Sequence, residues 1–352
     1  MTQRVIGTSW WVDISHQGKR YRIKSPDTSK KGAQIFEATI RRRLAEGLPI
    51  EDFVKRNKQR QSFEQFAWFW FRTHVEVHNK PSTIAKARGE LRHKLIPFFG
   101  NKAIDSISTL DVERYKAARA RKGLANKTIN NELSIFGKCL RDAKKWHGLT
   151  SIPEISLLKT PPTRYHYLNE AETAELLQHL DGTWFEIVYV ALATGMRRGE
   201  LQGLRWDDID LRNRTLTVRH NWCAVTQQLL SPKGNRTRTI PLTTGAVDLL
   251  AKRQEKEGFV FTTTGGAFDA HNVGCQLALA SKKAGLPRVT LHVLRHSFAS
   301  QLAMKGVPIA VIQQLLGHTD IKVTMRYAHL SQSILVDAVK TLERPIDQQR
   351  AA

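Results

Sequence analysis

Three polar side chains that could take part in catalysis lie beside an apolar helical stripe in LHVLRHSFAS, residues 291–300. The stripe begins at Leu291 and repeats at i+3, i+7 and i+11, the spacing of one buried helix face. His292, Arg295 and His296 lie along its edge. A satisfied polar rim is the plain explanation, whereas two imidazoles and a guanidinium together would also suit a pocket for an anion.

A second basic position lies in ALATGMRRGELQGLRWDDIDL, residues 191–211. The apolar helix there is predicted to end at Gly195, and a new helix to begin near Arg197. An arginine at a helix N-terminus opposes the helix dipole, but it makes sense if a phosphate sits between them. Glu200 shares a helical face with Arg197 and could hold the guanidinium. The alternative is a surface ion pair worth at most ~0.5 kcal/mol.

A lysine, a histidine and a tyrosine complete the set in the same half of the chain. TLTVRH and QQLLSPKGNRTRTIPL predict short strands around a turn that contains Lys233. Unlike arginine, a lysine can give up a proton, although a turn lysine is usually just solvated. Further on, Gly317 is predicted to end the helix VPIAVIQQLL. His318 follows directly, and Tyr327 lies in a further short helix.

These residue types could cut a phosphodiester without a metal ion. Arginines bind the non-bridging oxygens bidentately, histidines donate hydrogen bonds as negative charge grows, and an acid protonates the leaving oxygen. A tyrosine, with a reference pKa of ~10, becomes a good nucleophile once a positive site stabilises its phenolate. The sequence contains no carboxylate cluster typical of magnesium, no phosphate-binding glycine loop and no zinc-type His/Cys set. It therefore predicts neither a metal nor a cofactor.

The elements that would position these residues predict three domains and an α+β fold that is mainly helical. Residues 1–58 form a small module of two strands, TSWWVDIS and KRYRIKS, a helix ending at Gly47, and a linker. Its bases and paired tryptophans favour a role in gripping a partner; a sheet that merely covers the next domain is the alternative. Residues 163–352 form a mixed α/β domain, which carries the chemical residues and ends in a helix.

That last helix has an apolar stripe, which could dock on a neighbouring subunit or fold back on its own domain. The stripe consists of Ile334, Leu335, Ala338, Val339 and Leu342. Residues 59–152 form the middle domain, for which apolar spacing predicts four helices. Acids are scarce on its outer faces, so a phosphate-facing surface is predicted. Its bases are Lys86, Arg88, Arg92, Lys94, Arg114, Lys116, Arg119, Arg121, Lys122, Lys127, Lys138, Arg141, Lys144 and Lys145.

Charge narrows the class of partner. The 352 residues include 55 Lys+Arg against 32 Asp+Glu, a net charge of +23. Such an excess predicts a polyanionic partner, most often nucleic acid; a basic ribosomal or membrane-surface protein is the alternative. The three cysteines are far apart and suggest neither disulfides nor zinc. The sequence shows no signal peptide and no apolar span of ~20 residues, so we expect a cytosolic protein with no membrane partner.

Four motifs, in this order and spacing, resemble those of the tyrosine recombinases, the phage-integrase superfamily: TGMRRGEL, HVLRH, LLGH and a tyrosine nine residues after the last histidine. Residues 62–147 resemble the family's core-site DNA-binding domain, and the first module resembles the N-terminal domain with which many integrases bind arm-type sites. The resemblance implies a nucleophile, Tyr327, and an acid, Lys233, that protonates the leaving 5′ hydroxyl. The other implied catalytic residues are Arg197, His292, Arg295 and His318, with Glu200 and His296 in support.

The resemblance also implies a function. The enzyme would cut and rejoin double-stranded DNA at core-type sites through a 3′-phosphotyrosine and a Holliday junction, integrating or excising a phage or mobile element without ATP. It would act as a homotetramer with accessory DNA-bending or directionality proteins, in the cytoplasm at the bacterial nucleoid. The alternatives are a type IB topoisomerase-like enzyme, against which the arm-like module argues, and a non-catalytic DNA-binding regulator or architectural protein, in which the catalytic set would be coincidence.

Overall fold

The computed structural model describes residues 3–6, 9–16, 18–25, 29–48, 50, 61–161, 165–232, 234, 236–253, 257–263 and 266–331. The chain divides into two compact units, Met1–Pro162 and Thr163–Ala352. Helices dominate the described parts of both units and the sheets are small. The predicted mainly helical α+β class is therefore confirmed.

A three-stranded antiparallel sheet and one helix open the first unit. The strands β1 (Gln3–Ile6), β2 (Ser9–His16) and β3 (Lys19–Lys24) lie in that order. Helix α1 (Lys30–Ala45) begins after Ser29, whose hydroxyl accepts from a first-turn amide. One face of the sheet is buried against this helix. The sequence predicts β2, β3 and α1 but not β1, because four residues are too few to show an alternating pattern.

Four helices follow in the described part of this unit, as the sequence predicts, and two of them contain a π-helical turn. The first is α2 (Phe63–Trp70), a π turn (Phe71–Val75) and α3 (Glu76–His78); the second is α4 (Pro81–Glu90), a π turn (Leu91–Leu95) and α5 (Ile96–Phe99); the others are α6 (Thr109–Arg121) and α7 (Asn126–His147). Ser62 and Ser108 cap α2 and α6 through capping boxes, which fixes where these helices begin. The four helices share one hydrophobic core, in which the rings of Phe99 and Phe136 stack with their centres 4.3 Å apart.

Several basic side chains of the predicted phosphate-facing surface form ion pairs within this domain or are buried in it. Glu132, fully buried on α7, accepts from the Tyr115 hydroxyl at 2.7 Å and from Arg119 at 2.8 and 2.6 Å. Lys94 lies 3.5 Å from the same carboxylate, and Lys116 is only 6% exposed. The surface prediction is therefore wrong for Arg119 and Lys116, because ion pairing and burial decide which bases face solvent.

The segment after α7 has no regular secondary structure, yet it is fixed to that helix. The Asn130 side chain donates to the Leu158 carbonyl at 2.8 Å and accepts from the Leu158 amide at 2.9 Å. Asn126 donates to the Lys159 carbonyl at 2.7 Å. This segment is therefore docked on the middle domain as far as Lys159.

The second unit supplies the elements around the chemical residues. Its described helices are α8 (Glu170–Gln178), α9 (Gly182–Thr194), α10 (Arg198–Gln202), α11 (Thr244–Ala251), α12 (Ala270–Lys283), α13 (Leu291–Met304) and α14 (Ile309–Leu316). Its strands are β4 (Ile209–Asp210), β5 (Thr215–Val218), β6 (Asn221–Cys223), β7 (Gln228–Leu230), β8 (Arg238–Pro241), β9 (Thr262–Thr263) and β10 (Gly266–Ala267). Short 3₁₀ turns, Ile321–Val323 and Met325–Ser331, follow α14.

The strands near the predicted turn do not form a simple hairpin. β5 pairs with β4 and β8, whereas β6 pairs with β7, all antiparallel. The connection that contains Lys233 therefore joins strands of two separate sheets. Lys233 itself and the tail stripe from Ile334 to Leu342 lie outside the described residues. Where the chain is described, no helix combines the length and the apolar character needed to cross a membrane.

Candidate active site

Arg197 stands at a sharp turn between α9 and α10. Gly195 ends α9 with a φ of +60°, and a Cβ on it would lie 2.3 Å from the Phe298 ring. Only glycine therefore allows this backbone conformation together with such a close approach to α13. The Arg197 amide and guanidinium both donate to the Glu200 carboxylate, at 2.8 Å each. The Arg197 guanidinium is thus held in place by a carboxylate only three residues further along the chain.

Glu200 anchors two guanidinium groups from beneath. Its side chain is 1% exposed and also accepts from Nη1 and Nη2 of Arg238 on β8, at 3.0 and 2.7 Å. Burial opposes ionisation of this carboxyl, but the hydrogen bonds and charge of Arg238 and the charge of Arg197 outweigh it and lower the pKa to about 2. The surface ion pair considered from the sequence is therefore wrong, because the carboxylate is buried and shared.

Arg295 extends from α13 into the interior and is 3% exposed. Its Nη1 donates to the Gly195 carbonyl at 2.5 Å, and its Nη2 donates to the Leu316 carbonyl at 2.6 Å. Burial, followed by the charge of Arg197, lowers the pKa of Arg295 to about 9, which still leaves it charged at neutral pH. Because carbonyl partners are neutral, the full positive charge remains to meet an anion.

The C-terminal end of α14 organises three arginines of the described chain. Successive carbonyls of residues 315–317 accept from Arg238 Nε at 2.8 Å, Arg295 Nη2 at 2.6 Å and Arg197 Nη2 at 2.9 Å. The last carbonyls of a helix lack intrahelical partners and carry the negative end of its dipole. One helix end and one carboxylate, that of Glu200, therefore hold three guanidinium groups close together.

The predicted histidines line the same space. His292 has an exposed ring on α13, and burial of its inner part together with Arg295 lowers its pKa. His318 follows the glycine that ends α14, and its Nδ1 lies 2.8 Å from Thr324 Oγ1. Burial, then the charges of Arg295 and other arginines, lowers its pKa to about 3. Both imidazoles are therefore neutral near pH 7, and each carries one N–H donor.

Tyr327 lies in the turns after His318 and is 3% exposed. Its hydroxyl is 2.5 Å from Nδ1 of His296 on α13. Burial raises the pKa of the phenol, although the charges of Arg326 and Arg295 act in the opposite direction. At neutral pH the side chain is thus an uncharged phenol with an imidazole nitrogen already within hydrogen-bond distance.

A cleft of about 500 Å³ brings these residues together. Its lining includes Arg197, His292, Arg295, His296, His318 and Tyr327. Glu200 supports this wall through its bond to Arg197, and Lys233 lies outside the described residues. Among the described side chains, no group of three or more His, Cys, Asp or Glu could hold a metal ion. The cleft therefore offers fixed positive charge and N–H donors to an anion, and a phenol to attack it.

Reasoning from the sequence misses three residues of this region, namely Arg238, Arg326 and Tyr165. The Arg326 guanidinium lies 4.4 Å from the centre of the Tyr165 ring, and that ring lies 4.9 Å from the ring of His296. Strand alternation could have identified Arg238, since it shares a strand face with the buried Ile240. Nothing in the local sequence distinguishes Tyr165 from an ordinary loop tyrosine.

Comparison with known proteins relates segments of both units to one family. Residues 166–333 match the model of the phage integrase family, and residues 62–117 match that of the phage integrase N-terminal SAM-like domain. The tyrosine recombinase XerC-like protein of Caldanaerobacter subterraneus subsp. tengcongensis is 28% identical over 94% of this chain and 94% of its own length. The integrase of Escherichia phage 186 is 31% identical over 64% of this chain and 63% of its own length.

Solved structures agree on the fold. The integrase of transposon Tn1549, in complex with a circular intermediate DNA, has a TM-score of 0.69 at 23% identity over 76% of this chain and 95% of that chain. A lambda integrase dimer bound to a core site has a TM-score of 0.62 at 18% identity over 76% of this chain and 95% of that chain. The chain belongs to the phage integrase family, the tyrosine recombinases. It is a site-specific DNA recombinase, as the sequence motifs predict.

Proposed function

We propose that this recombinase cuts and rejoins DNA through a covalent bond between Tyr327 and a 3′ phosphate. The observation that carries the proposal is the cleft in which the buried phenol meets guanidinium and imidazole groups. Glu200 acts as a positioning residue for the arginines. The catalytic partners of the tyrosine are Arg197, Lys233, His292, Arg295 and His318.

The chemistry follows from the charges. Arg197 and Arg295 bind the non-bridging oxygens as phosphorus becomes five-coordinate, and the histidines donate further hydrogen bonds. The bond from the tyrosine oxygen to phosphorus forms while the bond from phosphorus to O5′ breaks, and O5′ takes a proton from Lys233. The position of Gly234, the residue after Lys233, supports this role. A Cβ on Gly234 would lie 3.0 Å from Cγ2 of Thr319, which follows His318 and lines the cleft. The covalent intermediate keeps the energy of the phosphodiester, so a 5′ hydroxyl of a second duplex can reverse the attack without ATP.

We infer that the enzyme acts as a homotetramer that passes through a Holliday junction. Exchange between two duplexes cuts two strands in each, and each cut consumes one tyrosine, so four subunits are needed. The phage 186 and Tn1549 relatives are named integrases, which favours integration or excision of a phage or other mobile element. Accessory DNA-bending or directionality proteins would complete the assembly, in the cytoplasm at the nucleoid of a bacterial host.

We assign core-site binding to one face of α7. Exposed side chains recur there at helical spacing, and the stripe that they form contains no acid. It consists of Lys127, Asn131, Ser134, Lys138, Arg141 and Lys145. Lys86 of α4 faces its central part across a cleft of about 270 Å³. The bases would contact phosphates, which set affinity, and the amide and hydroxyl between them would contact base edges, which set sequence preference.

We assign arm-site binding to the sheet of the N-terminal module. Its face opposite α1 carries Asp13 between three arginines, Arg4, Arg20 and Arg22. Arg20 donates to the carboxylate at 2.8 and 2.6 Å, and this hydrogen bonding holds the pKa of Asp13 far below its usual range. One acid thus orders three guanidinium groups on an exposed surface, an arrangement suited to DNA phosphates.

The test is a DNA site nicked beside the cleavage position, so that the released fragment diffuses away and the covalent intermediate accumulates. The wild type should form an adduct that survives denaturant and forms in EDTA, whereas Tyr327→Phe should form none. Tyr167→Phe is the matched control, because Tyr167 is half-buried in the same unit and does not line the cleft. Cleavage that requires a metal and leaves no adduct would indicate a nuclease and refute the proposal.

A second variant separates catalysis from DNA binding. The rate of cleavage by Arg295→Ala should fall by more than ~10²-fold, because the variant lacks a charge that interacts more strongly with the transition state than with the substrate. It should keep most of its affinity for DNA, because many other bases hold the duplex. Equal losses of cleavage and affinity would mean that Arg295 only grips the DNA.

A further inference from the structure

The contact between His296 and Tyr327 assigns a role to a histidine that the family motifs leave as support. Nδ1 of His296 lies 2.5 Å from the Tyr327 hydroxyl, and both residues are at least nine-tenths buried. A neutral imidazole with its proton on Nε2 has one acceptor nitrogen, Nδ1, and the phenol is the donor that faces it. The nucleophile thus begins the reaction already bonded to a group that can take its proton.

The surroundings of His296 keep the imidazole neutral until an anion arrives. Its ring meets the ring of His292 at 4.4 Å and that of Tyr165 at 4.9 Å. Burial, followed by the neighbouring His292, Arg326 and Arg295, lowers the pKa of His296 to about 4. A phosphate bound by Arg295 would bring a negative charge that offsets these cations and makes protonation of the imidazole more favourable.

We propose that His296 is the proton acceptor for Tyr327 during DNA cleavage. This assignment rests on the proposed role of Tyr327 as the nucleophile. The proton moves from Oη to Nδ1 as Oη bonds to phosphorus; the P–O5′ bond breaks, and O5′ receives a separate proton from the acid. On rejoining, an incoming 5′ hydroxyl gives its proton to the deprotonated acid as its oxygen attacks phosphorus, the Oη–P bond breaks, and Nδ1 returns its proton to Oη. His296 is therefore a catalytic residue, since it touches the reacting oxygen.

The test uses two substrates and two variants in the covalent-adduct assay. In the second substrate sulfur replaces the bridging 5′ oxygen at the cut, and the thiolate, with a pKa of ~8.5, leaves without help from an acid. His296→Asn keeps an acceptor atom near the position of Nδ1 but cannot take up a proton at neutral pH. We expect this variant to lose ~10²-fold in the rate of adduct formation on both substrates. Lys233→Ala is the matched control, and its loss should be largely restored by the sulfur.

Further measurements distinguish a loss of proton transfer from a loss of folding. Chemical unfolding and DNA affinity should match those of the wild type in His296→Asn. His296→Ala should gain cleavage when free imidazole is added, and the gain should follow the fraction of imidazole that is unprotonated.

Three results would overturn the role of His296. One is cleavage by His296→Asn within about threefold of the wild type from pH 6 to 9, because the side chain would then only position the phenol. Another is rescue of His296→Asn by the sulfur substrate, which would assign His296 to the leaving group. The third is an absence of imidazole rescue in a folded His296→Ala. Adduct formation by Tyr327→Phe would instead defeat the proposed function itself, so the two failures are distinguishable.

Discussion

Replacement of Glu200 by glutamine should destabilise the second unit by about 3 kcal/mol at neutral pH. Glutamine keeps the shape and one carbonyl acceptor but lacks the charge that Arg197 and Arg238 share. The pKa of Glu200 is lowered from 4.5 to about 2, and each pKa unit corresponds to ~1.4 kcal/mol. A buried pair broken on one side costs ~3–5 kcal/mol, so two independent arguments give the same magnitude.

The effect should depend on pH with a defined sign. The pKa of Glu200 is lower in the folded chain than in the unfolded one, so its stabilisation is fully present above about pH 4.5 and is lost as the pH falls towards 2. The free energies of unfolding of the wild type and of Glu200→Gln should therefore differ by about 3 kcal/mol at pH 7 and by about half as much at pH 3.

Urea unfolding at the two pH values measures this difference, and thermal unfolding at pH 7 should show a midpoint lowered by about 6–12 °C. Glu170→Gln is the matched control, because its ion pair with Lys305 is exposed and should contribute less than ~0.5 kcal/mol. Combined with Arg238→Gln, Glu200→Gln should cost less than the sum of the two single changes, since they remove the same contact. Equal midpoints, or a difference that does not change with pH, would refute the reasoning.

Two further predictions concern the backbone. Gly195→Ala should destabilise the protein by more than ~2 kcal/mol, since the positive φ costs ~1–2 kcal/mol and the new Cβ meets the Phe298 ring. Gly123 is the matched control, because it also has a positive φ but a Cβ on it would have no atom within 4 Å, so Gly123→Ala should show only the backbone cost. Equal losses of unfolding free energy in the two variants would exclude the steric contribution. Asn130→Ala removes both hydrogen bonds to Leu158, so limited proteolysis should cut the segment after α7 faster than in the wild type, and an unchanged rate would mean that its apolar contacts suffice.

The sequence predicts six of the residues that line the cleft but not the groups that hold them. Arg197, Arg295 and Tyr327 stand at helix ends or beside an apolar stripe, where periodicity and cap residues can locate them. Their partners include the carbonyls of Gly195 and of residues 315–317. Every peptide unit offers such a carbonyl, so the choice among them depends on tertiary contacts that no local pattern contains.

The same limit applies to the fold. The four helices of the middle domain follow from spacing and caps, whereas the pairing of β5 with β8 joins short strands about twenty residues apart. The charge pattern likewise cannot separate Arg119, which is bound to the buried Glu132, from the exposed Lys138. In both cases the deciding partner is distant in sequence and is chosen by packing.

The charges held in the cleft match the transition state better than the substrate. Arg197, Arg198, Arg295 and Arg326 line the cleft, and Arg238 lies behind it, bound to the single carboxylate of Glu200, so the net charge here is well above one positive charge. A phosphodiester carries one negative charge, but its oxygens approach two as phosphorus becomes five-coordinate. Because the end of α14 fixes the guanidinium groups in advance, they need no reorganisation when that second charge develops. Binding energy is therefore greatest at the step that must be accelerated, and the site achieves this with neutral carbonyls, since a second carboxylate would cancel the charge that the reaction needs.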